Sequence, residues 1–163
     1  AVQLFALRLD QVGVVVHPQS LVHAVVEFTD GSLLAQMATA DMRLPIAQAL
    51  WYPHRSPRFI ERLDLAKLGR LEFEPPDTER FPCLALAIAS LQAGGTMPCV
   101  LNAANEVAVE AFLQGRLGFM QIPQLIEEVM ARHSPAEVTL DSVFASDAWA
   151  REEATHRLAA LAP

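Results

Sequence analysis

The stretch that decides the fold of the first part of the chain is VHAVVEF at residues 22–28, followed by TDGS at 29–32 and LLAQMA at 33–38. Asp30-Gly31 is the dipeptide preferred in two-residue type I′ turns, because both central positions need a positive φ. A turn there predicts a hairpin with His23, Glu27 and Gln36 on its polar face. The same register brings six apolar side chains to the packed face: Ala24, Val26, Phe28, Leu33, Ala35 and Met37.

Other parts of the first eighty residues predict a further strand, a helix and a linker. The β-branched run VGVVV at 12–16 has no alternation, as expected for a strand covered on both faces. Residues 41–52 have helical apolar spacing, with Pro45 near the first turn. Residues 53–82 hold five of the eleven prolines among many charges. That composition predicts a surface linker with a short edge strand at 71–73.

The second half of the chain predicts four helices separated by glycine and proline. Gly94-Gly95 follows the first helix, Pro98 begins the second and Gly115 follows it, as glycine and proline commonly do at helix ends. The predicted helices cover residues 82–93, 98–114, 122–133 and 140–161. We therefore predict an α+β fold: a small mixed sheet with a tight hairpin, followed by a four-helix C-terminal domain.

The composition limits the classes of protein to consider. Apolar residues make up 52% of the 163 residues, which is enough for a packed core, and the net charge of −7 argues against a nucleic-acid partner. No apolar run approaches the roughly 20 residues that span a bilayer, and no signal peptide begins the sequence. The two cysteines suit a reducing compartment. We expect a cytoplasmic protein without a nucleic-acid or membrane partner.

Residues of the usual catalytic kinds are sparse. No dinucleotide-binding glycine motif or P-loop follows a predicted strand, and the five histidines lack metal-ligand spacing. Glu106 and Glu110 share a helix face and could bind a metal, although a solvated polar stripe is the favoured interpretation. Ser20 and His23 would face opposite sides of a strand, so they form no nucleophile pair unless Ser20 lies in a loop. His23 should lie near Met42, and an ordinary surface or interface histidine is its simplest interpretation.

Several motifs carry the interpretation further. In chain order they are HPQSLVH at 17–23, DGSLLAQ at 30–36, DMRLPI at 41–46, PCL at 82–84 and LNAANE at 101–106. Together they resemble the C-terminal part of the 1-deoxy-D-xylulose 5-phosphate reductoisomerase family. The resemblance extends over essentially all of this chain and less than half of the family's length.

The resemblance implies an enzyme that isomerises 1-deoxy-D-xylulose 5-phosphate and reduces it to 2-C-methyl-D-erythritol 4-phosphate in non-mevalonate isoprenoid synthesis. It implies NADPH and a divalent cation, Mg or Mn, as cofactors of the complete enzyme, and none bound to this chain alone. Ser20, His23 and Met42 match positions that line the family's substrate cleft, and no catalytic, cofactor or metal ligand is expected here. Ala40 departs from the family's usual proline, and the motif at 102–106 has no assigned role.

The resemblance also implies a domain division. Residues 1–51 would be the end of the catalytic and dimerisation domain, 52–77 the linker and 78–163 the C-terminal helical domain. The chain begins at Ala1 without methionine, on residues like the tail of a helix that lacks its N-cap. We therefore expect a fragment of a homodimeric enzyme, inactive without the N-terminal part. The alternative is a stand-alone binding or oligomerisation module derived from that family.

Overall fold

The computed structural model describes residues 1–161, with the side chain of Leu161 excepted. Gly13–Pro76 forms one compact unit, and Ala1–Val12 together with Asp77–Pro163 forms the other. Over the described residues the secondary structure is one two-stranded antiparallel sheet, six α-helices and a short 3-10 helix. The predicted α+β class is confirmed, although the small sheet is purely antiparallel.

The predicted hairpin is present in the first unit, but its register is different. β1 is Val22–Glu27 and β2 is Leu33–Met37, and Glu27 rather than Phe28 pairs with Leu33. The Gly31 N–H donates to Phe28 O and the Phe28 N–H donates to Ser32 O, both at 2.9 Å. Gly31 has a φ of 82°, whereas Asp30 is not in the positive-φ region. The connection is therefore a three-residue loop that ends in a left-handed glycine, not a type I′ turn.

The side chain of Asp30 explains this choice of loop. Its carboxylate accepts hydrogen bonds from the Ser32 N–H at 2.9 Å and from the Ser32 hydroxyl at 2.6 Å. These bonds lower the pKa of Asp30, because they favour the charged carboxylate. Such a side-chain turn suits a negative φ at Asp30, so only Gly31 has to adopt the left-handed conformation.

The change of register overturns the predicted sorting of the faces. Val26 lies opposite Leu34 rather than Ala35, because one extra loop residue shifts every pair by one position. Phe28, predicted on a packed face, is 50% exposed, and Val25 and Val26 of β1 are about half exposed. Within its own unit the hairpin therefore has no covered apolar face.

The predicted strand at 12–16 is wrong. Val16 alone forms a single antiparallel bridge, to Glu74, with N···O distances of 2.8 and 2.9 Å. Val14 and Val15 are about half exposed and belong to no strand. A β-branched run becomes a strand only where a neighbour supplies a ladder, and in this unit residues 13–15 meet none.

In the rest of the first unit, the predicted helix is present. α1 is Arg43–Trp51, within the predicted helix at 41–52. The linker contains a short helix that the prolines did not predict, α2 at Leu65–Leu68. Its start is set by Asp64, whose carboxylate accepts from the N–H groups of Ala66 and Lys67.

The second unit contains the four predicted helices: α3 Cys83–Ala93, α4 Met97–Leu113, α5 Gln121–Met130 and α6 Leu140–Leu161. Its apolar core consists of small and branched side chains from α4, α5 and α6, and its largest fully buried apolar members are Leu125, Ile126, Val100 and Val129. The unit also includes the 3-10 helix Leu9–Gln11, and residues 2–6 form turns. Over the described residues, no helix is both long and apolar enough to cross a membrane.

A buried polar contact joins the turn before α4 to the loop before α6. The Thr96 N–H donates to Ala136 O at 3.2 Å, and the Ala136 N–H donates to Thr96 Oγ1 at 3.1 Å. Thr96 Oγ1 also lies 2.8 Å from His133 Nε2. Burial lowers the pKa of His133, because the charged imidazole loses hydration there. We call Thr96, His133 and Ala136 the threonine clasp.

Candidate functional site

The three residues predicted to line the substrate cleft come together in the first unit. Ser20, His23 and Met42 contribute to one cleft of about 450 Å³ in the first unit. The other lining residues are Gln36, Ala38, Thr39, Ala40, Asp41, Leu44 and Pro45. Residues from before β1, from the hairpin and from the start of α1 therefore meet at one place. That this cleft receives a substrate stays a prediction.

Ser20 reaches the cleft from a tight turn. Its N–H donates to His17 O at 3.0 Å, and its φ is +51°, which is uncommon for a residue with a side chain. Among the described residues its hydroxyl has no hydrogen-bond partner, so it remains able to donate to or accept from a bound molecule. The turn also places Ser20 in a loop, outside β1.

His23 lies at an irregularity in the hairpin. The register shifts between Val22 and Ala24, so His23 has no direct partner on β2. Such a bulge changes the direction of a side chain relative to a regular strand. His23 is exposed and shares the cleft with Gln36 and Ala38. His23 thus lies away from a packed core, as predicted, but because of the bulge and not because of the predicted register.

Met42 and Asp41 shape the opposite wall. The Asp41 carboxylate accepts from the Arg43 N–H and guanidinium at 2.5 to 3.0 Å, and these bonds lower the pKa of Asp41 to about 2. A carboxylate held in this way is a poor proton acceptor near neutral pH, so we assign Asp41 a structural role. Met42 is 72% exposed and presents its thioether to the cleft.

Among the cleft residues that were not selected from the sequence, Gln36 and Thr39 have uncharged polar side chains. Gln36 is the last residue of the quoted motif at 30–36, and its amide could have been noticed as a hydrogen-bonding group on a short strand. Thr39 carries no sequence signal of its own. It lies in the cleft because the chain turns sharply between β2 and α1.

The chemistry of the cleft lining indicates what the cleft could bind. Over residues 1–161, no group of three or more His, Cys, Asp or Glu side chains is placed to bind a metal ion. The lining offers hydroxyl, imidazole and amide groups beside apolar side chains. This set can orient a polar small molecule.

The motif at 102–106 has a structural explanation in the second unit. Ala103 and Ala104 are fully buried in the core where α4 packs against α6. The Asn102 amide donates to Glu106 at 3.0 Å, and Arg151 of α6 donates to Glu106 at 2.7 Å. These bonds lower the pKa of Glu106. Glu106 therefore ties two helices together.

Glu110, the other carboxylate of the possible metal pair, accepts a hydrogen bond from the side chain of Gln114. The two carboxylates thus belong to separate polar contacts on the surface of α4. This arrangement fits the polar-stripe interpretation.

Comparison with known proteins identifies the family. A sequence model described as the DXP reductoisomerase C-terminal domain matches residues 37–153. The chain is 56% identical over 149 residues to 1-deoxy-D-xylulose 5-phosphate reductoisomerase from Pelotomaculum thermopropionicum, which covers 91% of this chain and 38% of that protein. The corresponding enzyme from Acetivibrio thermocellus is 52% identical over 150 residues, 91% of this chain and 39% of that protein.

The chain belongs to the 1-deoxy-D-xylulose 5-phosphate reductoisomerase family. The resemblance drawn from the motifs is therefore confirmed. The chain spans about two fifths of the length of these relatives, and the matching family domain is their C-terminal one.

Solved structures of the reductoisomerase family have the same fold. The enzyme from Zymomonas mobilis in complex with NADPH superposes with a TM-score of 0.89 and 45% identity, covering 97% of this chain and 42% of that one. A reductoisomerase in complex with NADPH, fosmidomycin and magnesium superposes with a TM-score of 0.87 and 39% identity, covering 97% and 41%. The Zymomonas mobilis enzyme thus binds NADPH, and the second reductoisomerase binds NADPH, fosmidomycin and magnesium.

Proposed function

We propose that this chain is the C-terminal portion of a reductoisomerase that converts 1-deoxy-D-xylulose 5-phosphate to 2-C-methyl-D-erythritol 4-phosphate. The observation that carries the proposal is the 56% identity to a reductoisomerase across 91% of the chain. Residues 1–51 would complete the catalytic and dimerisation domain, 52–77 would form the linker, and 78–163 the helical domain. The free thiols of Cys83 and Cys99 support a cytoplasmic enzyme.

In this proposal the cleft of Ser20, His23 and Met42 forms one wall of the substrate site. The Ser20 hydroxyl and the His23 imidazole would hydrogen-bond to the sugar phosphate, and the thioether of Met42 would exclude water beside it. NADPH and a divalent cation, Mg or Mn, would supply hydride and charge stabilisation when bound. Their ligands would come from the N-terminal part, since the described residues lack a clustered set.

The first prediction is that the 163-residue chain alone neither oxidises NADPH with the pentulose phosphate nor binds NADPH tightly. The complete enzyme that contains this chain should do both. Spectrophotometric NADPH oxidation at 340 nm, roughly the absorption maximum of the reduced nicotinamide, measures the first, and isothermal titration measures the second. Turnover by the pure chain would contradict the proposal. Mass spectrometry that finds this chain expressed without an N-terminal part would instead favour the stand-alone binding module.

We also propose that the complete enzyme is a homodimer. The exposed edges of β1 and β2, with valines that are half exposed on the hairpin faces, support association through this region. Light scattering on the complete enzyme tests the dimer, and a monomer mass at high concentration would contradict it.

The second prediction concerns His23 in the complete enzyme. Replacing His23 by alanine should weaken transition-state binding by about 1–3 kcal/mol, the loss typical of one hydrogen bond to a charged group. The melting temperature should barely change, because His23 is exposed and removes no packed volume. Steady-state kinetics and thermal unfolding measure the two effects.

His54 provides a matched control for this variant. It is an exposed histidine of the same unit, and it does not line the cleft. His54→Ala should leave both kcat/KM and the melting temperature unchanged. If His23→Ala lowers the melting temperature and leaves kcat/KM unchanged, the cleft role is wrong.

A further inference from the structure

Next to the Val16–Glu74 bridge, side chains rather than backbone groups make the hydrogen bonds that would continue the strand pairing. Val16 and Glu74 exchange two backbone hydrogen bonds, but Pro18 has no N–H with which to continue the pairing. His17 Nδ1 instead lies 2.7 Å from Glu72 O, and the Glu72 N–H donates to Gln19 Oε1 at 3.0 Å. Both polar backbone groups of Glu72 are thus paired with side chains of the HPQS motif.

Two further contacts strengthen this pairing. The Gln19 Nε2 donates to Arg70 O at 3.5 Å, and the His17 ring stacks on Phe73 with centroids 4.7 Å apart. Because Glu72 O can only accept, the hydrogen of the His17 ring lies on Nδ1. His17 Nε2 is enclosed, and no hydrogen-bond partner for it exists among residues 1–161. We call His17, Gln19 and the backbone of residues 70–72 the linker clamp.

The linker clamp lies immediately beside Ser20. Ser20 has a φ of +51°, a conformation that is strained for a residue with a side chain and persists only where the surrounding structure imposes it. Its N–H is held by His17 O at 3.0 Å, and the preceding residue is Gln19. The side chains of His17 and Gln19, two residues of this turn, are therefore fixed to the linker. Within the described residues, no hydrogen bond of the Ser20 side chain fixes its position.

We propose that His17 and Gln19 are positioning residues: by clamping the linker backbone, they hold the Ser20 hydroxyl at the cleft wall. The consequence for catalysis rests on the proposed function, since it assumes that the cleft receives the sugar phosphate. If Ser20 contacts the substrate equally in the ground state and the transition state, a loose Ser20 raises KM and leaves kcat nearly unchanged.

The test is a double-mutant cycle in the complete enzyme. His17→Phe keeps the ring on Phe73 and removes the Nδ1 donor, whereas His17→Asn keeps a donor amide near the Nδ1 position. His17→Phe and Ser20→Ala should each raise KM by about 10-fold or more, with kcat within about 3-fold of the parent value. In His17→Asn, KM should return most of the way to that of the parent enzyme. The double variant His17→Phe/Ser20→Ala should be no worse than Ser20→Ala alone, because His17 acts through Ser20.

His54→Phe is the matched control, since it makes the same replacement at an exposed histidine outside the linker clamp and the cleft. Its KM should equal that of the parent enzyme. Effects of His17→Phe and Ser20→Ala that multiply in the double variant would overturn the proposal. An unchanged KM for His17→Phe would overturn it as well.

Hydrogen exchange tests the linker clamp independently of the proposed function. The Glu72 amide, bonded to Gln19 Oε1, should exchange about 10-fold faster or more in Gln19→Leu, while the amides of β1 keep their rates. This result needs no turnover, so it holds even if the complete enzyme proves inactive with the pentulose phosphate. An unchanged rate at Glu72 would overturn the clamp itself.

Discussion

Replacing Gly95 by alanine should lower the free energy of unfolding of the helical unit by about 3 kcal/mol or more, the sum of backbone strain and a steric clash. A Cβ at this position would lie 2.4 Å from Ala136 O and 3.1 Å from Pro135 Cβ. The φ of +53° adds conformational strain for any side chain. Urea denaturation followed by circular dichroism measures the loss.

The threonine clasp explains why the backbone cannot simply move away. Thr96, the next residue, exchanges hydrogen bonds with Ala136 in both directions. Relieving the clash at Gly95 would pull Thr96 away and break both of these hydrogen bonds, which would leave the buried Thr96 N–H and the two backbone groups of Ala136 without their partners. The cost of an unpaired buried polar group is about 1–3 kcal/mol, so relaxation offers little relief.

Gly115 is the matched control for the close approach. It has a φ of +71°, and no atom lies within 4 Å of its ideal Cβ. Gly115→Ala should therefore cost about 1–2 kcal/mol, the strain of the left-handed conformation alone. If Gly95→Ala and Gly115→Ala lower stability by the same amount, contact with Ala136 contributes nothing.

Replacing Leu125 by alanine should lower the free energy of unfolding by about 3–5 kcal/mol, because it removes buried methyl groups and leaves a cavity. Leu125 is fully buried on α5 and is among the largest side chains of the core. Its neighbours in the core are fully buried too, which limits how far the site can collapse. Thermal and urea unfolding measure the effect.

Leu113 provides the comparison for this variant. It is the last residue of α4 and is 72% exposed. Leu113→Ala should change the free energy of unfolding by no more than about 0.5 kcal/mol. A Leu125→Ala variant as stable as Leu113→Ala would show that the core described for this unit is wrong.

The helices of the second unit could be predicted from the sequence because their boundaries depend on local chemistry. Gly94, Pro98 and Gly115 act through their own backbone preferences, and the structure has α3 and α4 within one residue of the predicted limits at these ends. Ser20 and His23 were assigned to a substrate cleft because short motifs resemble those of the family, and this role stays a prediction.

In the hairpin, local sequence signals predicted the turn but not its loop length. Asp30-Gly31 correctly indicated a turn, yet the Asp30 carboxylate, through its bonds to Ser32, favoured a three-residue loop over a two-residue one. Alternative turns differ by about the energy of one or two hydrogen bonds, on the order of 1 kcal/mol each. A difference so small changes the register and hence the face of every side chain.

Other features depended on residues far apart in the sequence. His17 and Glu72 are separated by 55 positions, and Thr96 and His133 by 37. Neither partner carries a local signal for the other, since each hydrogen bond exists only once the chain has brought the segments together. The sequence by itself determined the helices other than α2, the existence of the hairpin and the family. Only the tertiary structure decided the register, the threonine clasp and the linker clamp, because those rest on contacts that local backbone preferences do not encode.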